Sequence, residues 1–391
     1  MQMIPGVLDR RLAIKPMTRV SPSRYDALKQ CTLREVWAAG GQLHLLPVAP
    51  AARLGTAIHQ LLEDAGRGRL ASAERPAMER RWEELLGEAE CTMRASWLER
   101  HFVPLRSSVP GFEVRQLRAQ ERALAIAQAA ARASGEPGQD QAMAGLEKWV
   151  ATPDGSVGGY IDHVVESPGG PVLRDYKSGS IHDATVGLPP AAVRESFVLQ
   201  MRLYAALYAA TTGSWPAKLE LVPLHGDGVE IPFDAADCEA LLAEAIAALA
   251  RINGTIAEPA SRHEDAEARL ANPRAASCRQ CLFRPACPPY RRARREASGE
   301  EEWPDDVWGE LQATRQLGNG KLLLTISADF TDREVKYVRG ITAGSERHPA
   351  IQHVHQGHKL GIFSLRGAAV AGTLSETPWT VIYKMDGWED G

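Results

Sequence analysis

The segment that most constrains the fold is residues 158–177, because it reads as two strands joined by a tight turn. Two runs rich in β-branched and aromatic residues flank a Ser-Pro-Gly-Gly sequence, and this pattern predicts a β-hairpin. If residues 167–170 form the loop, counting back along both strands places Asp162 directly opposite Asp175. Two facing carboxylates repel each other in an ordinary sheet, so the hairpin predicts a site that needs a cation.

Lys177 lies two residues beyond Asp175 and therefore shares its face of the strand, about 6.6 Å further along. A hard divalent cation accepts carboxylate oxygens from adjacent positions. An acid pair and an amine on one face thus predict a metal site with a lysine that orients water.

Composition sets the broad class of the protein. The chain has 391 residues with 44% hydrophobic content, which is typical of a soluble globular protein with two domains, or one large core and an appendage. The N-terminus lacks the apolar stretch of a signal peptide and no uninterrupted apolar run reaches membrane-spanning length, so we expect a cytoplasmic protein with no membrane contact. The net charge of −4 means that any contact with nucleic acid comes from a local basic patch.

Two helices precede the hairpin and carry candidate residues. Ser21 followed by proline predicts a helix that runs through Cys31 and ends at a Gly-Gly pair, residues 40–41. In residues 54–63, Gly55, His59 and Glu63 recur every four residues along one helical face. The glycine permits close approach of another backbone, and the histidine is either a hydrogen-bonded core residue or a ligand.

Helical patterns also occupy residues 77–133, and residues 134–141 predict a loop. After the hairpin, residues 195–210 form another predicted helix, on which Gln200, Tyr204 and Tyr208 share a face. A tyrosine stripe of this kind is typical of packing. Short strands are predicted at residues 219–223 and 229–233, followed by an amphipathic helix over residues 234–252.

The cysteines cluster near residue 280. Cys278, Cys281 and Cys287 lie within ten residues, which places three thiols close enough to share one metal centre. The remaining three are candidates for the fourth ligand: Cys31, Cys91 and Cys238. Spacing does not separate zinc from an iron–sulfur cluster, although proline directly after the last cysteine also occurs in ferredoxins.

A cluster of arginines at residues 291–295 and an acidic run at residues 300–306 predict an exposed linker and a domain boundary. The chain then divides into two predicted domains, residues 1–298 and residues 303–391. The second part is β-rich, with strands predicted at residues 322–326, 334–338, 351–355, 360–365 and 379–383, which fits a small β-barrel or sandwich.

We expect this second part to help hold DNA, because its predicted strands carry residues that stack bases and neutralise phosphates: Lys336, Tyr337, Arg339, Lys359, Phe363 and Arg366. A dimerisation or partner-docking role is the alternative. On the first view, a chain ending at about Ala297 folds and cleaves by itself.

Four short motifs occur in this order: Gly55-x-x-x-His59, Gly159-Tyr-Ile-Asp162, Asp175-Tyr-Lys177 and Gln200-x-x-x-Tyr204. Together they resemble the motifs of the PD-(D/E)xK nucleases of the RecB-like kind, over residues 17–290. The usual proline–aspartate pair is absent, and the second motif stands in its place. The resemblance implies an α/β fold with a restriction-endonuclease-like core, in which helices flank a mixed central sheet.

The resemblance also implies roles for individual residues. Mg²⁺ or Mn²⁺ would be held by His59, Asp162, Asp175 and the main-chain carbonyl of Tyr176. Lys177 would orient or deprotonate the attacking water, while Gln200 and Tyr204 would contact DNA or hold the active-site strand. The catalytic set is then Asp162, Asp175 and Lys177.

The cysteine layout is similar to that of the iron–sulfur subgroup, which includes the AddB nuclease domain and the CRISPR-associated four-cysteine exonucleases. This similarity implies a [4Fe–4S] cluster, with zinc as the lesser alternative, and supplies Cys31 as the fourth ligand. Cys91 and Cys238 are then free thiols. Such a clip closes a loop of about 250 residues and constrains the unfolded chain strongly, so its expected role is structural.

The implied function is a metal-dependent DNA nuclease, with an exonuclease favoured, that acts on single-stranded DNA or duplex ends. Its implied setting is DNA repair, recombination or antiviral defence, with a helicase or a defence complex as partner. The alternative is a nuclease-fold DNA-binding or scaffold module whose chemistry is unused. The intact Asp162, Asp175 and Lys177 favour the nuclease, because a binding module has no reason to keep opposed carboxylates beside a lysine.

Overall fold

Two mixed β-sheets and the helices around them make up the computed structural model of the chain. It describes residues 4–70, 74–133, 145–182, 192–258, 263–297, 302–330, 334–344, 346–368, 370 and 372–387. The predicted loop at residues 134–141 lies outside the described residues. The N-terminal helices are α1 (Tyr25–Gln30), α2 (Thr32–Ala39), α3 (Pro50–Gly66), α4 (Arg75–Ala95), α5 (Leu105–Ser108) and α6 (Phe112–Ala133).

The first sheet has five strands in the order β1-β2-β3-β4-β5. Its strands are β1 (Gly145–Ala151), β2 (Gly158–Val165), β3 (Val172–Lys177), β4 (Lys218–Pro223) and β5 (Val229–Glu230). β3 and β4 are parallel and the other neighbours are antiparallel. The β2–β3 hairpin is confirmed, and its ladder pairs Val165 with Val172 and His163 with Arg174. That is the predicted register, which Asp162 and Asp175 continue by one step.

Helices cover both faces of this sheet because alternate strand residues point to opposite sides. In β4, Leu221 packs in one core with helix α7 (Glu195–Thr212), whereas its neighbour Val222 packs with Tyr176 against α3, α4 and α6. The mixed sheet flanked by helices confirms the restriction-endonuclease-like core. The later helices are α8 (Ala235–Ala257), α9 (His263–Leu270), α10 (Ala275–Arg279) and α11 (Pro288–Glu296).

Among the described residues, α8 is the one helix whose length and composition alone would suffice to cross a membrane. It is amphipathic in this fold. Cys238, Ala245, Leu249 and Ile252 are buried in the core that it shares with α7.

The second sheet contains seven strands in the order β10-β11-β8-β7-β6-β9-β12. The strands are β6 (Val307–Gln316), β7 (Leu322–Ala328), β8 (Val335–Ile341), β9 (Lys359–Phe363), β10 (Arg366–Gly367), β11 (Thr373–Ser375) and β12 (Val381–Lys384). We call this the C-terminal sheet. The strand predicted over residues 351–355 is wrong, because Pro349–His353 forms a 3-10 turn that begins at its proline.

The C-terminal sheet shares a hydrophobic core with the first 290 residues. Phe363 and Tyr383 are buried in the same cluster as Leu8, Trp37 and the cysteines near residue 280. The Tyr383 hydroxyl donates a 2.7 Å hydrogen bond to the carbonyl of Leu45. That a chain ending at about Ala297 folds alone stays a prediction, and this shared core argues against it, because truncation would expose those side chains to water.

A buried ion pair reinforces the junction between the two parts. Arg284 Nε donates to Asp306 Oδ2 at 2.7 Å, and Arg284 Nη2 donates to Ser364 Oγ at 2.6 Å. Tyr290 donates to the same Asp306 oxygen at 2.7 Å. Arg291 in the predicted exposed linker is likewise buried, and Phe363, expected on a DNA-holding surface, is a core residue.

Candidate active site and cysteine pocket

The hairpin strands β2 and β3 diverge beyond the His163–Arg174 pair, and the predicted acidic residues lie at this fork. Asp175 is 3% exposed, and its Oδ1 accepts a 2.6 Å hydrogen bond from Gln200 Nε2 of α7. The Lys177 ammonium lies 2.5 Å from Asp175 Oδ2 and donates to Gln200 Oε1 at 3.0 Å. Gln200 therefore bridges the carboxylate and the lysine and fixes both.

Asp162 reaches the same fork from β2. Its Oδ2 accepts a 2.8 Å hydrogen bond from the backbone N–H of Tyr176. In an extended strand the N–H and C=O of one residue point to the same edge, so the Tyr176 carbonyl is directed to the edge where Asp162 lies. The side chain of Tyr176 instead bonds to His163 Nδ1 at 2.9 Å.

His59 completes this group from helix α3. Its Nδ1 lies 3.8 Å from Asp162 Oδ2, and 42% of its side chain is exposed. Gly55, one turn earlier, allows this approach, because a Cβ there would lie 3.0 Å from Ser178 Oγ, just after β3. Gly55 and His59, four residues apart in the sequence motif, therefore lie on the face of α3 that packs against the end of β3.

Tyr204 lies one turn beyond Gln200 and is buried. A Cβ on Gly159 would come within 3.2 Å of the Tyr204 hydroxyl oxygen, so β2 passes α7 closely at this glycine. The structure thus brings Gln200 and Tyr204 behind the acidic pair. Their contacts position the strands.

Electrostatics at the fork favour a bound cation. Burial, followed by the charge of Asp175, raises the pKa of Asp162 to about 8. Burial lowers the pKa of His59, while Asp175 opposes that effect. A divalent cation would offset the free-energy cost of burying charged carboxylates, since it favours their charged forms.

Sequence reasoning missed Glu147 in β1. Glu147 lies between the Leu146–His163 and Lys148–Ile161 pairs, which puts it at the level of Asp162, and its φ is 48°. Arg67 at the end of α3 binds Glu147 Oε2 at 3.0 Å and also pairs with Glu63. This link ties α3, which carries His59, to the sheet.

Strand β1 itself was not predicted. The Thr-Pro-Asp-Gly sequence at residues 152–155 is a turn signal that could have revealed it. Asp154 Oδ1 accepts a 2.7 Å hydrogen bond from Thr152 Oγ1 in that turn.

The donor set fits a hard divalent cation in chemistry. Asp175 Oδ2 is buried and accepts no hydrogen bond within the described residues, despite the nearby lysine. Nevertheless, no three His, Cys, Asp or Glu side chains in the described part of the chain converge tightly enough to hold an ion as they are placed. Side-chain rotation must therefore accompany binding.

The predicted cysteines meet at a second place, which we call the cysteine pocket. Cys31, Cys278, Cys281 and Cys287 line one small cavity of about 20 Å³. Cys91 is exposed on α4 and Cys238 is buried in α8, and neither lines this cavity. The structure brings together the four thiols that the resemblance implied.

Cys31 reaches the pocket because the predicted single helix is broken there. Its backbone is extended, with φ −159° and ψ 104°, between α1 and α2. The one-helix prediction is therefore wrong at this residue, whereas its end at Gly40 is confirmed.

The thiols are held in an apolar environment. Burial raises the pKa of Cys278 to about 11 and that of Cys281 to about 12, and it raises that of Cys287 strongly. Buried thiols that line one cavity are the donor types of a thiolate metal centre, because coordination deprotonates them. As placed, the described thiols do not converge on an ion position, so either metal centre requires them to turn.

Comparison with known proteins gave one match. A family model described as the PD-(D/E)XK nuclease superfamily matches residues 19–288, which is more than half of the chain. Searches of the curated proteins and of the solved structures found no significant match. The matched residues contain both the fork and the cysteine pocket, and they end before the C-terminal sheet.

Proposed function

Because this chain belongs to the PD-(D/E)XK nuclease superfamily, we propose that it is a metal-dependent deoxyribonuclease with its active site at the fork of β2 and β3. Members of the superfamily are usually metal-dependent nucleases, and the superfamily implies DNA as substrate. The observation that carries the proposal is the contact of Asp175 with both Lys177 and Gln200, beside Asp162 and His59.

In this proposal His59, Asp162, Asp175 and the carbonyl of Tyr176 hold the cation. Mg²⁺ or Mn²⁺, when bound, supplies the Lewis acidity that activates water and offsets charge on the phosphate. Lys177 orients the attacking water and stabilises negative charge that develops on the phosphate oxygens.

Gln200 holds Lys177 and Asp175 in register, and Tyr204 packs β2 against α7 beside them. Partners of this kind orient the residues that touch metal and substrate. We assign them positioning roles in the reaction, with contact to DNA as the further role that the resemblance implies.

We propose that the cysteine pocket holds a [4Fe–4S] cluster, with a Cys₄ zinc site as the alternative. Either centre would join Cys31 to the segment around Cys281 and fasten the two ends of the nuclease region. Anaerobically purified protein should be brown with broad visible absorption. Colourless folded protein with stoichiometric zinc would support the zinc site.

The C-terminal sheet, in this proposal, helps to hold DNA. Tyr337, Arg339, Lys359 and Arg366 are exposed on it, as expected, whereas Lys336 lies 2.5 Å from Glu334. On the resemblance, we place the enzyme in DNA repair, recombination or antiviral defence, as an exonuclease acting with a helicase or defence complex.

The rival function is a DNA-binding or scaffold module with unused chemistry. One observation favours it, namely that the ligand side chains do not converge on an ion position. A nuclease assay on end-labelled single- and double-stranded DNA with Mg²⁺ or Mn²⁺ separates the two. If the wild type cleaves DNA and Lys177→Ala does not, the result supports the nuclease. If the wild type binds DNA but cleaves it under no metal condition, the result supports the module.

A further inference from the structure

A cleft of about 910 Å³ lies between the segment around the cysteine pocket and the C-terminal sheet. One wall comes from the segment that leads into α3 and from α10 and α11, and the other comes from residues around Trp303, Arg366 and Trp379. Its volume is that of a ligand-binding site. It contains none of the residues of the fork.

The cleft carries cations without carboxylate partners. Arg366 is exposed and Arg294 is half-buried, and neither has an ion pair within the described chain. The Nε of Arg294 is buried without a hydrogen bond, and its guanidinium carbon lies 5.1 Å from the Phe330 ring centroid. Two other lining arginines, Arg279 and Arg284, are paired with acids. Asp305, a lining carboxylate without an ion pair in the described chain, accepts a 2.8 Å hydrogen bond from the backbone N–H of Gly367. The lining therefore offers two unpaired guanidinium groups to an anion, against one such carboxylate.

An aromatic side chain stands beside these cations. Trp379 is 38% exposed and packs on Phe102 with ring centroids 4.6 Å apart. The carbonyl of the preceding Pro378 accepts hydrogen bonds from Arg347 and His101 at 2.7 and 2.8 Å. The turn that presents Trp379 is thus fixed, and the exposed part of the indole is the surface on which a base would stack.

Helix α3 connects the cleft to the fork. Ala49, immediately before α3, lines the cleft, and His59 lies ten residues later on the same helix. At 1.5 Å per residue the separation is about 15 Å. That distance corresponds to about four stacked nucleotides of one strand.

We propose that this cleft binds a single-stranded segment of the DNA substrate, with a base on Trp379 and phosphates on Arg366 and Arg294. Stacking on aromatic rings with arginines along the backbone is the usual chemistry of sequence-independent single-strand binding. The inference rests on the proposed nuclease function, since it makes the cleft a second contact for the strand whose phosphate is at the fork. It also places Arg366, one of the residues expected to hold DNA, in the cleft.

The test is equilibrium binding of the full-length protein to fluorescently labelled single-stranded DNA in EDTA, so that nothing is cut. Trp379→Ala should weaken binding of an oligonucleotide of about 20 nucleotides roughly tenfold, which is the size of one base–aromatic stack. Arg366→Ala should lower the slope of log affinity against log salt by about 0.7. Neither should alter binding of a dinucleotide, which spans about 7 Å and fills only the fork.

Matched controls lie away from the cleft: Trp149→Ala replaces a tryptophan of β1 that is 39% exposed, and Arg315→Ala replaces an exposed arginine of the C-terminal sheet. Both should bind like the wild type. Trp379→Phe should recover part of the affinity, because it keeps a ring on Phe102. Thermal melting of every variant checks the fold.

The proposal is overturned if Trp379→Ala and Arg366→Ala bind the long strand normally, if they weaken short and long strands equally, or if Trp149→Ala loses as much affinity. Cleavage kinetics distinguish this failure from failure of the proposed function. An enzyme that cuts DNA while the cleft variants keep a normal KM refutes the cleft alone. A protein that never cuts DNA but shows the length-dependent losses refutes the nuclease and supports the cleft.

Discussion

The fork and the cysteine pocket are both assembled from residues far apart in the chain, yet their surroundings differ. At the fork, 26% of the Asp162 side chain and 42% of the His59 side chain are exposed. In the pocket, three of the four cysteines are buried, with Trp37 and Tyr290 among the lining residues. A substrate can reach the first place and not the second.

The polar contacts of the fork and of the cysteine pocket also differ. Each carboxylate at the fork is bonded to another residue of the fork, so the geometry of a reacting centre is set before any substrate binds. The thiols instead line one apolar cavity, and thiols are the ligands of structural metal centres. Loss of a residue should therefore damage activity at the fork and stability at the pocket.

The largest effect is expected at the pocket. Cys281→Ser should release the metal centre and lower the free energy of unfolding by several kcal/mol, because structural zinc contributes about 10–16 kcal/mol in small folded domains. Melting temperature, solubility and metal content measure it. Cys91→Ser at an exposed position should change little, and Cys238→Ser should fall between the two because that thiol is buried. Equal losses of stability in all three cysteine variants would show that the pocket has no special role.

At the fork, Lys177→Ala should lower the cleavage rate about 10²–10³-fold while folding and DNA binding persist, since removal of one donor that stabilises the transition state typically costs that much. Asp175→Ala should do the same. The measurement is a single-turnover rate with Mg²⁺ or Mn²⁺, and Lys218→Ala on the neighbouring strand is the control. Near wild-type cleavage by Lys177→Ala would falsify the catalytic assignment.

The junction between the two parts can be broken at Arg284. Arg284→Ala leaves Asp306 buried without its cation, which typically destabilises a protein by about 3–5 kcal/mol. Denaturant unfolding measures the loss, and Arg279→Ala, whose ion pair is exposed, should cost far less. If Arg284→Ala unfolds like the wild type, the C-terminal sheet is fastened by its apolar contacts alone.

The smallest effect is expected from Gln200→Ala. Its loss should reduce activity or metal affinity about 10–100-fold, the usual range for residues that orient a ligand, with little change in melting temperature. Raising the metal concentration should recover part of the rate. Loss of stability without loss of metal affinity would instead make Gln200 a packing residue, as its stripe with Tyr204 and Tyr208 first suggests.

Local sequence determined the hairpin and its register, since a four-residue loop fixes how two adjacent strands align. It also determined α3, through the four-residue spacing of Gly55 and His59, and the grouping of three cysteines within ten residues. Tertiary structure decided that Gln200, from a helix 25 residues away, bonds Asp175.

Tertiary structure likewise decided the break at Cys31 and the link from Arg67 to Glu147. Both features depend on contacts between residues far apart in the chain, and such contacts override local propensity. The same reason explains Phe363, whose strand pattern suggests exposure but whose ring packs near Tyr383 in the shared core. A sequence specifies which residues can be buried, and only the assembled fold decides which partners bury them.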